Sequence, residues 1–397
     1  MKKPGKRRVD PGIRVPAWQD ALGAWIERQP ALWRSLGNWE SRLLRERLTD
    51  IRIDRPIYIC GLARSGTTIL LTLLAEHAST ATHRYRDFPA LFTPWAWDWF
   101  LARAASSSEP THERAHGDGL MVSADSPEAF EEVIWSAFWH TEASLAGGVL
   151  DRSHHRPEFE AFYTDHLRKL LLLRSGSRYL AKGNYNLTRL RYLNRLFPNA
   201  RFIILVREPL WHIASLMRQH QRFCASHAAD ARGRRYMRRA GHFEFGLDRR
   251  PIDTGDPRVA NVLYLWRSGR ELDGWALYWT LIHDYLAQTL AEDEGVRSAS
   301  LVVRYEDFCA NPAQLLTKIL DHCELSHQGL PQQAPGAVHH PSYYSPPFSA
   351  SERATIARVT GRTALHFGYL QERPAESASA TGPTAITSSP GSSISAW

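Results

Sequence analysis

The chain is 397 residues long, 43% hydrophobic and 23% charged, enough material for a packed core in one large domain or two modest ones. Its formal net charge of +8 points to anionic partners, whether nucleotides, nucleic acid or acidic lipid. The four cysteines (Cys60, Cys224, Cys309 and Cys323) form no CxxC pair, which argues against a zinc ribbon or a disulfide scaffold. No run of about 18 apolar residues occurs, and the basic start MKKPGKRRVDPGIRVP leads into amphipathic sequence between Trp18 and Trp33 rather than an apolar stretch. We therefore expect neither a membrane span nor a secretory leader, and a reducing, cytoplasmic setting. Positive charge concentrates in the first fifteen residues and again from Arg218 to Arg250. The second run lacks the aromatic interleaving of a base-stacking platform, so nucleic acid is disfavoured as a partner.

In chain order, residues 1–50 read as a basic segment followed by capping helices. From Arg55 to Glu76 the pattern is a short apolar strand (Ile57, Tyr58, Ile59, Cys60), a glycine-bounded turn and an apolar helix opening near Thr67. Helices are expected over Pro127–Leu145 and Pro157–Arg174. Strand and helix then alternate, with strands at Arg178–Ala181, Arg201–Val206 and Leu301–Arg304, and helices at Leu187–Phe197, Pro209–His220 and Pro312–His322. Asn261–Leu290 reads as one further helix. The Arg-rich stretch Gln221–Arg258, with scattered glycines, suggests an irregular insertion or a mobile lid. After about Glu372 the chain turns mainly to Ala, Ser, Thr, Pro and Gly, too little apolar surface to repay ordering, so residues 371–397 are expected to be a disordered tail. The expected fold class is α/β, a three-layer sandwich with a mainly parallel sheet between helices. It spans residues 51–370, with helical insertions at about 90–175 and 220–290.

Two stretches carry chemistry. Gly61-Leu62-Ala63-Arg64-Ser65-Gly66-Thr67-Thr68 follows a predicted strand and opens a helix, the context in which backbone N–H groups and a helix N-terminus cradle an anion. Its spacing is that of a P-loop, but Thr67 stands where a nucleoside-triphosphate loop has the lysine that reaches the β- and γ-phosphates. That departure disfavours ATP or GTP hydrolysis. It favours an anion without a γ-phosphate, held by Arg64, Ser65, Gly66, Thr67 and Thr68. The second stretch, Arg201 to Pro209 and on to Ser215, is a buried strand with Arg207 at its carboxyl end and Ser215 two turns into the next helix. A parallel sheet places ligand contacts at such strand ends.

Together these segments resemble the P-loop sulfotransferases that use 3'-phosphoadenosine 5'-phosphosulfate (PAPS). The Arg-Ser-Gly-Thr-Thr form is most similar to the branch holding tyrosylprotein sulfotransferases and many bacterial relatives. The resemblance implies a P-loop α/β fold, transfer of a sulfuryl group from PAPS with no metal, and a 5'-phosphosulfate loop at Arg64–Thr68. It implies that Arg207 and Ser215, eight residues apart, grip the 3'-phosphate. It also covers Lys182 and the stretch Val302-Val303-Arg304-Tyr305-Glu306-Asp307-Phe308, and runs from about Arg55 to Cys323.

For catalysis we expect Lys182 to stabilise the departing phosphate and Arg64 to compensate charge on the transferring group. In cytosolic sulfotransferases a histidine stands two residues after this lysine. Here the position is Asn184, which cannot accept a proton as a base. In the tyrosylprotein branch a glutamate just past the first helix serves, and Asp87 is the nearest carboxylate in that region. His116, in a glycine-flexed polar loop, competes with it for the role of base. Trp95, Trp97 and Trp99 read either as an acceptor wall or as core. The other readings are a P-loop small-molecule kinase, a polyanion- or nucleic-acid-binding protein whose loop is incidental, and a PAPS binder without turnover. The acceptor and the oligomeric state are not legible.

Overall fold

The computed structural model describes residues 15–104, 112–113, 121–139, 148–328, 338 and 345–369; the tail over 371–397 lies outside them. Helices α1 (Ala17–Arg28), α2 (Pro30–Leu43) and α3 (Arg45–Thr49) precede the sheet. Then follow β1 (Ile57–Cys60), α4 (Thr67–Ala75), β2 (Thr80–Ala81) and α5 (Pro94–Arg103). The two-residue strands β3 (His112–Glu113) and β4 (Met121–Val122), α6 (Glu131–Trp139) and α7 (Pro157–Arg174) lead to β5 (Arg178–Gly183). The chain continues through α8 (Leu190–Leu196), β6 (Arg201–Val206), α9 (Pro209–Ala229), α10 (Ala231–Arg239), α11 (Val259–Arg267), α12 (Glu271–Glu292) and α13 (Glu294–Ser298). It then forms β7 (Ser300–Arg304), α14 (Tyr305–Ala310), α15 (Pro312–Cys323) and a last described helix, Ala350–His366.

Five strands make one parallel sheet in the order β2-β5-β1-β6-β7, with β3 and β4 pairing separately. Because strand side chains alternate between faces, the strands divide into two packing sets. Ile57, Ile59, Leu180, Ile203, Leu205 and Val303 pack with α4, α14 and α15. Tyr58, Cys60, Tyr179, Ala181, Phe202, Ile204 and Val206 pack with α6, α7, α9 and α12. Both faces are covered, as the near-continuous apolar runs of β1 and β6 required. The register sets Ile59 beside Lys182 and Val206 beside Arg304. The chain leaves β5, β1 and β6 at neighbouring points along one edge of the sheet, the place where open α/β sheets collect ligand contacts.

Three expectations change. The Arg-rich stretch from Gln221 is helical as far as Arg239 and irregular only beyond it: α9 continues to Ala229, and Asp230 caps α10 by accepting from the Arg232 amide at 2.9 Å. Its arginines are held by carboxylates. Arg234 pairs with Asp248, Arg235 with Asp20, and Arg239 with both Asp20 and Glu27, which straps α1 onto α10. The helix expected over Asn261–Leu290 is two, because the chain turns through a left-handed Gly269, where the Arg270 amide donates to the Leu265 carbonyl at 2.9 Å. The helix expected from Pro127 starts at Glu131, and residues 140–147 lie outside the described ones.

Candidate active site

The loop after β1 is tightly specified. Arg64 has φ +72 and Gly66 φ +96, a left-handed pair around Ser65 that directs successive backbone amides into one concavity. A Cβ on Gly66 would stand 2.5 Å from the Tyr305 ring, so the position admits only glycine. Ser65 is fully buried and its Oγ has no hydrogen-bond partner. A buried hydroxyl left unpaired is costly, and here it lies in a loop built for an anion. Thr67, also buried, opens α4.

From the next strand come the residues that close the loop's other side. Arg207, 4% exposed, donates from Nη1 to the Arg64 carbonyl at 2.9 Å, and its guanidinium lies 4.8 Å over the Tyr305 ring. Arg64 Nε donates to Ser215 Oγ at 3.3 Å, although 151 residues separate the two in sequence. Behind the loop, Trp279 Nε1 donates to His212 Nδ1 at 3.2 Å, and His212 Nε2 lies 2.8 Å from the Ala63 carbonyl, to which it donates in this tautomer. Burial, reinforced by the Arg207 charge, pushes the His212 pKa well below its ordinary value, which keeps the ring a neutral strut. Neither Tyr305 nor His212 was singled out in the sequence. Tyr305 follows the quoted strand Val302–Arg304, but its contact with Gly66 depends on how β6 and β7 register.

Lys182, at the end of β5, faces a small cleft of about 20 Å³ lined also by Glu131, Glu132, Asn184, His242 and Glu244. Three segments meet there. Gly241, in a left-handed C-cap, ends α10 and delivers His242, whose amide donates to the Met237 carbonyl at 2.9 Å. The His242 Nδ1 lies 3.7 Å from Glu244 Oε2, and Asn184 Nδ2 donates to Glu244 Oε1 at 2.6 Å. Burial raises the Glu128 carboxyl pKa, but the Lys182 and His242 charges, the Tyr85 hydroxyl and the Ala129 amide outweigh it and hold the group below the usual carboxylate range. Burial likewise opposes the charge on His242, yet Glu244 and Glu128 lift it above its ordinary value. Burial also raises Glu244, and His242 and Lys182 more than reverse this. The result is Lys182, His242 and Glu244 in alternating charge at one small opening, with Glu128 within electrostatic reach of the same two cations. Pairs of this kind, shifted by specific charges in a cleft, mark a functional site.

With this geometry in view, comparison with known proteins is direct. The profile of the sulfotransferase family matches residues 56–264, more than half of the chain. The chain belongs to the sulfotransferase family. Among solved structures, sulfotransferase STF1 from Mycobacterium tuberculosis H37Rv aligns with a TM-score of 0.46 at 16% identity, covering 88% of this chain and 87% of its own. Sulfotransferase STF9 from Mycobacterium avium aligns with a TM-score of 0.47 at 13% identity, covering 84% and 83%. No curated protein matches the sequence at a significant level.

The other expected site residues of this sulfotransferase fall in different places. Asp87, 2% exposed, is enclosed: Oδ1 accepts from Arg174 Nη2 at 2.5 Å and Oδ2 from the Arg84 amide at 2.8 Å. Nearby, His83 and His166 stack with ring centroids 5.0 Å apart and share a 3.2 Å contact between their Nε2 atoms. Burial drives the His83 pKa down to about 4. His116 lies outside the described residues. Trp97 donates from its indole to the Arg86 carbonyl at 2.8 Å and stacks on Phe100, whereas Trp99 is exposed and lies under Arg103. None of these contacts reaches Lys182. The residues missed by sequence reasoning are Glu128, His242 and Glu244. Their one local signal was Arg239-Ala240-Gly241, a helix ending in glycine.

Proposed function

We propose that the protein transfers a sulfuryl group from PAPS to a hydroxyl or amine of its acceptor and releases 3'-phosphoadenosine 5'-phosphate (PAP). The observation that carries this reading is the meeting of Arg64 with Ser215 and of Arg207 with the Arg64 carbonyl. Two anion-binding segments distant in sequence close on one another, as a nucleotide with phosphates at both its 5' and 3' ends requires. Arg64, the Ser65 hydroxyl, Thr67, Thr68 and the loop amides suit the 5'-phosphosulfate. Arg207 and Ser215 suit the 3'-phosphate, where a planar guanidinium fixes position and orientation.

Transfer proceeds in this reading by attack of the acceptor oxygen or nitrogen on sulfur, with rupture of the bond from sulfur to the 5'-phosphate oxygen. The bonding pair leaves on that oxygen as PAP, and Lys182 offsets the charge. The acceptor proton goes to Glu128, the ionised carboxylate beside Lys182. Glu128 fits this role better than Asp87, whose two oxygens are occupied by Arg174 and the Arg84 amide. His242 and Glu244 hold the charge balance, and Asn184, standing where cytosolic sulfotransferases have a histidine, positions Glu244.

The test is calorimetric titration with PAP and, separately, with ATP plus Mg²⁺. Micromolar affinity for PAP with feeble ATP binding is expected. Tight Mg·ATP binding with none for PAP would overturn the donor assignment in favour of a kinase.

A further inference from the structure

The catalytic reading leaves the outer face of the N-terminal helices unexplained. Trp18, Ala21 and Trp25 recur at i, i+3 and i+7, one stripe of α1, and Trp18 and Trp25 are 61% and 48% exposed. On α2, Leu32, Trp39 and Leu43 form a second stripe, 42%, 56% and 59% exposed. Both helices already bury an opposite face, through Gly23 and Ile26 on α1 and Trp33, Gly37 and Glu40 on α2. They are thus apolar on two sides, and the core accounts for only one. The outward stripes are held rigidly. Trp25 stands edge-on to the buried Trp33 with centroids 5.2 Å apart, and Glu40 anchors α2 by pairing with the fully buried Lys169 at 3.0 Å. Apolar stripes left exposed on two successive helices are the kind of surface that marks an interaction site.

Charge selects the partner. Residues 1–14, directly before α1, contain Lys2, Lys3, Lys6, Arg7, Arg8 and Arg14 against the single acid Asp10. Arg28 of α1, Arg42 of α2 and Arg45 and Arg47 of α3 are exposed, against the exposed Glu46 and Asp50. The acids of α1, Asp20 and Glu27, are already paired with Arg235, Arg238 and Arg239 of α10, so neither opposes an incoming anion. A second copy of the chain would set this basic surface against itself. Tryptophan, with an apolar ring and a polar N–H, is the side chain that settles at the boundary between lipid headgroups and acyl chains. No described helix is long and apolar enough to cross a membrane, so the contact is one of lying on the surface.

We propose that α1 and α2 form a docking face for an anionic lipid bilayer. Trp18, Trp25 and Trp39 insert at the headgroup level, and the basic residues draw the protein to the surface. The proposal is independent of the donor and base assignments.

The full chain is tested by flotation with phosphatidylcholine vesicles, with and without phosphatidylglycerol, at low and high salt. Binding only to the phosphatidylglycerol vesicles, lost at high salt, is expected. The combined variant Trp18→Ala, Trp25→Ala and Trp39→Ala should reduce that binding by roughly tenfold or more while PAP affinity is unchanged. Replacing Lys2, Lys3 and Lys6 by Gln should weaken it by roughly fivefold per charge removed, and this variant leaves every described contact intact. Absence of binding to either vesicle, or binding that survives the tryptophan changes, overturns the proposal. So does self-association in sedimentation that the same tryptophan variant abolishes, which would make the face a dimer interface.

Discussion

The phosphate loop and the cleft around Lys182 lie on adjacent strands, yet they are built in opposite ways. Gly61 to Thr68 is a run of eight consecutive residues whose backbone carries the function, so its sequence and its geometry are nearly the same information. The cleft takes Glu131 and Glu132 from the start of α6, with Glu128 in the chain before them acting on its charges, Lys182 from β5, Asn184 from just after it, and His242 and Glu244 from the turn after α10. Anion binding needs amides at a helix start, which local sequence supplies. Proton transfer needs a charge-tuned carboxylate, which only packing supplies. The side proposed to grip the donor is therefore local, and the side proposed to activate the acceptor is tertiary.

The comparison breaks most visibly at the two carboxylates that compete for the base. Glu128→Gln should retain PAP binding and lower the transfer rate by about 10³-fold, the middle of the range for a lost general base. Asp87→Asn should instead destabilise the fold by about 1–3 kcal/mol, because the buried Arg174 loses its charged partner at 2.5 Å and keeps only the 3.3 Å contact with Asp98. Rates at saturating donor, together with urea unfolding of both variants, read the two effects separately. A stable Asp87→Asn protein without turnover, beside an active Glu128→Gln protein, would return the base to Asp87.

A second measurement sharpens the donor side. Arg207→Ala should weaken PAP binding by roughly a hundredfold, the loss of charge-assisted hydrogen bonds to one phosphate, and should leave adenosine 5'-phosphate binding much less affected. Calorimetry with the two nucleotides decides it. Equal losses would mean that Arg207 acts only as a brace for the Arg64 carbonyl.

That division also governs what could be read from the chain. The apolar runs of β1 and β6, buried on both faces, and the anion loop between β1 and α4 were legible because each depends on neighbours in sequence. Lys182 was legible as a strand-end lysine, but its partners were not. Glu128 sits in a polar stretch that reads as the start of a helix, and backbone hydrogen bonds from its amide to the His83 carbonyl, at 3.0 Å, and from the Tyr85 amide to the Ser126 carbonyl, at 3.0 Å, tie it to the chain that follows β2. The Arg-rich stretch misled for a related reason. Its charge density resembles a solvated lid when the carboxylates that neutralise it, Asp20, Glu27 and Asp248, are out of view. Asp87 attracted attention by its position after the first helix, and its commitment to Arg174 is a contact 87 residues away.

The smallest effect is the most specific to the cleft. His242 lies among the charges that hold Glu128 below the usual carboxylate range, and Glu244 in turn keeps His242 protonated to higher pH than an ordinary histidine. His242→Gln removes the positive charge but keeps a polar side chain. The Glu128 pKa should then rise, since one of the terms opposing its burial is gone. Protonated Glu128 cannot take the acceptor's proton, so the acid limb of the rate profile should move to higher pH in the variant, with a loss of about tenfold or less at neutral pH. Turnover measured against pH at saturating donor and acceptor reads the limb directly. A limb that stays in place while the rate falls uniformly would mean that His242 contacts the acceptor instead of tuning Glu128. A limb that disappears would make His242 itself the titrating base.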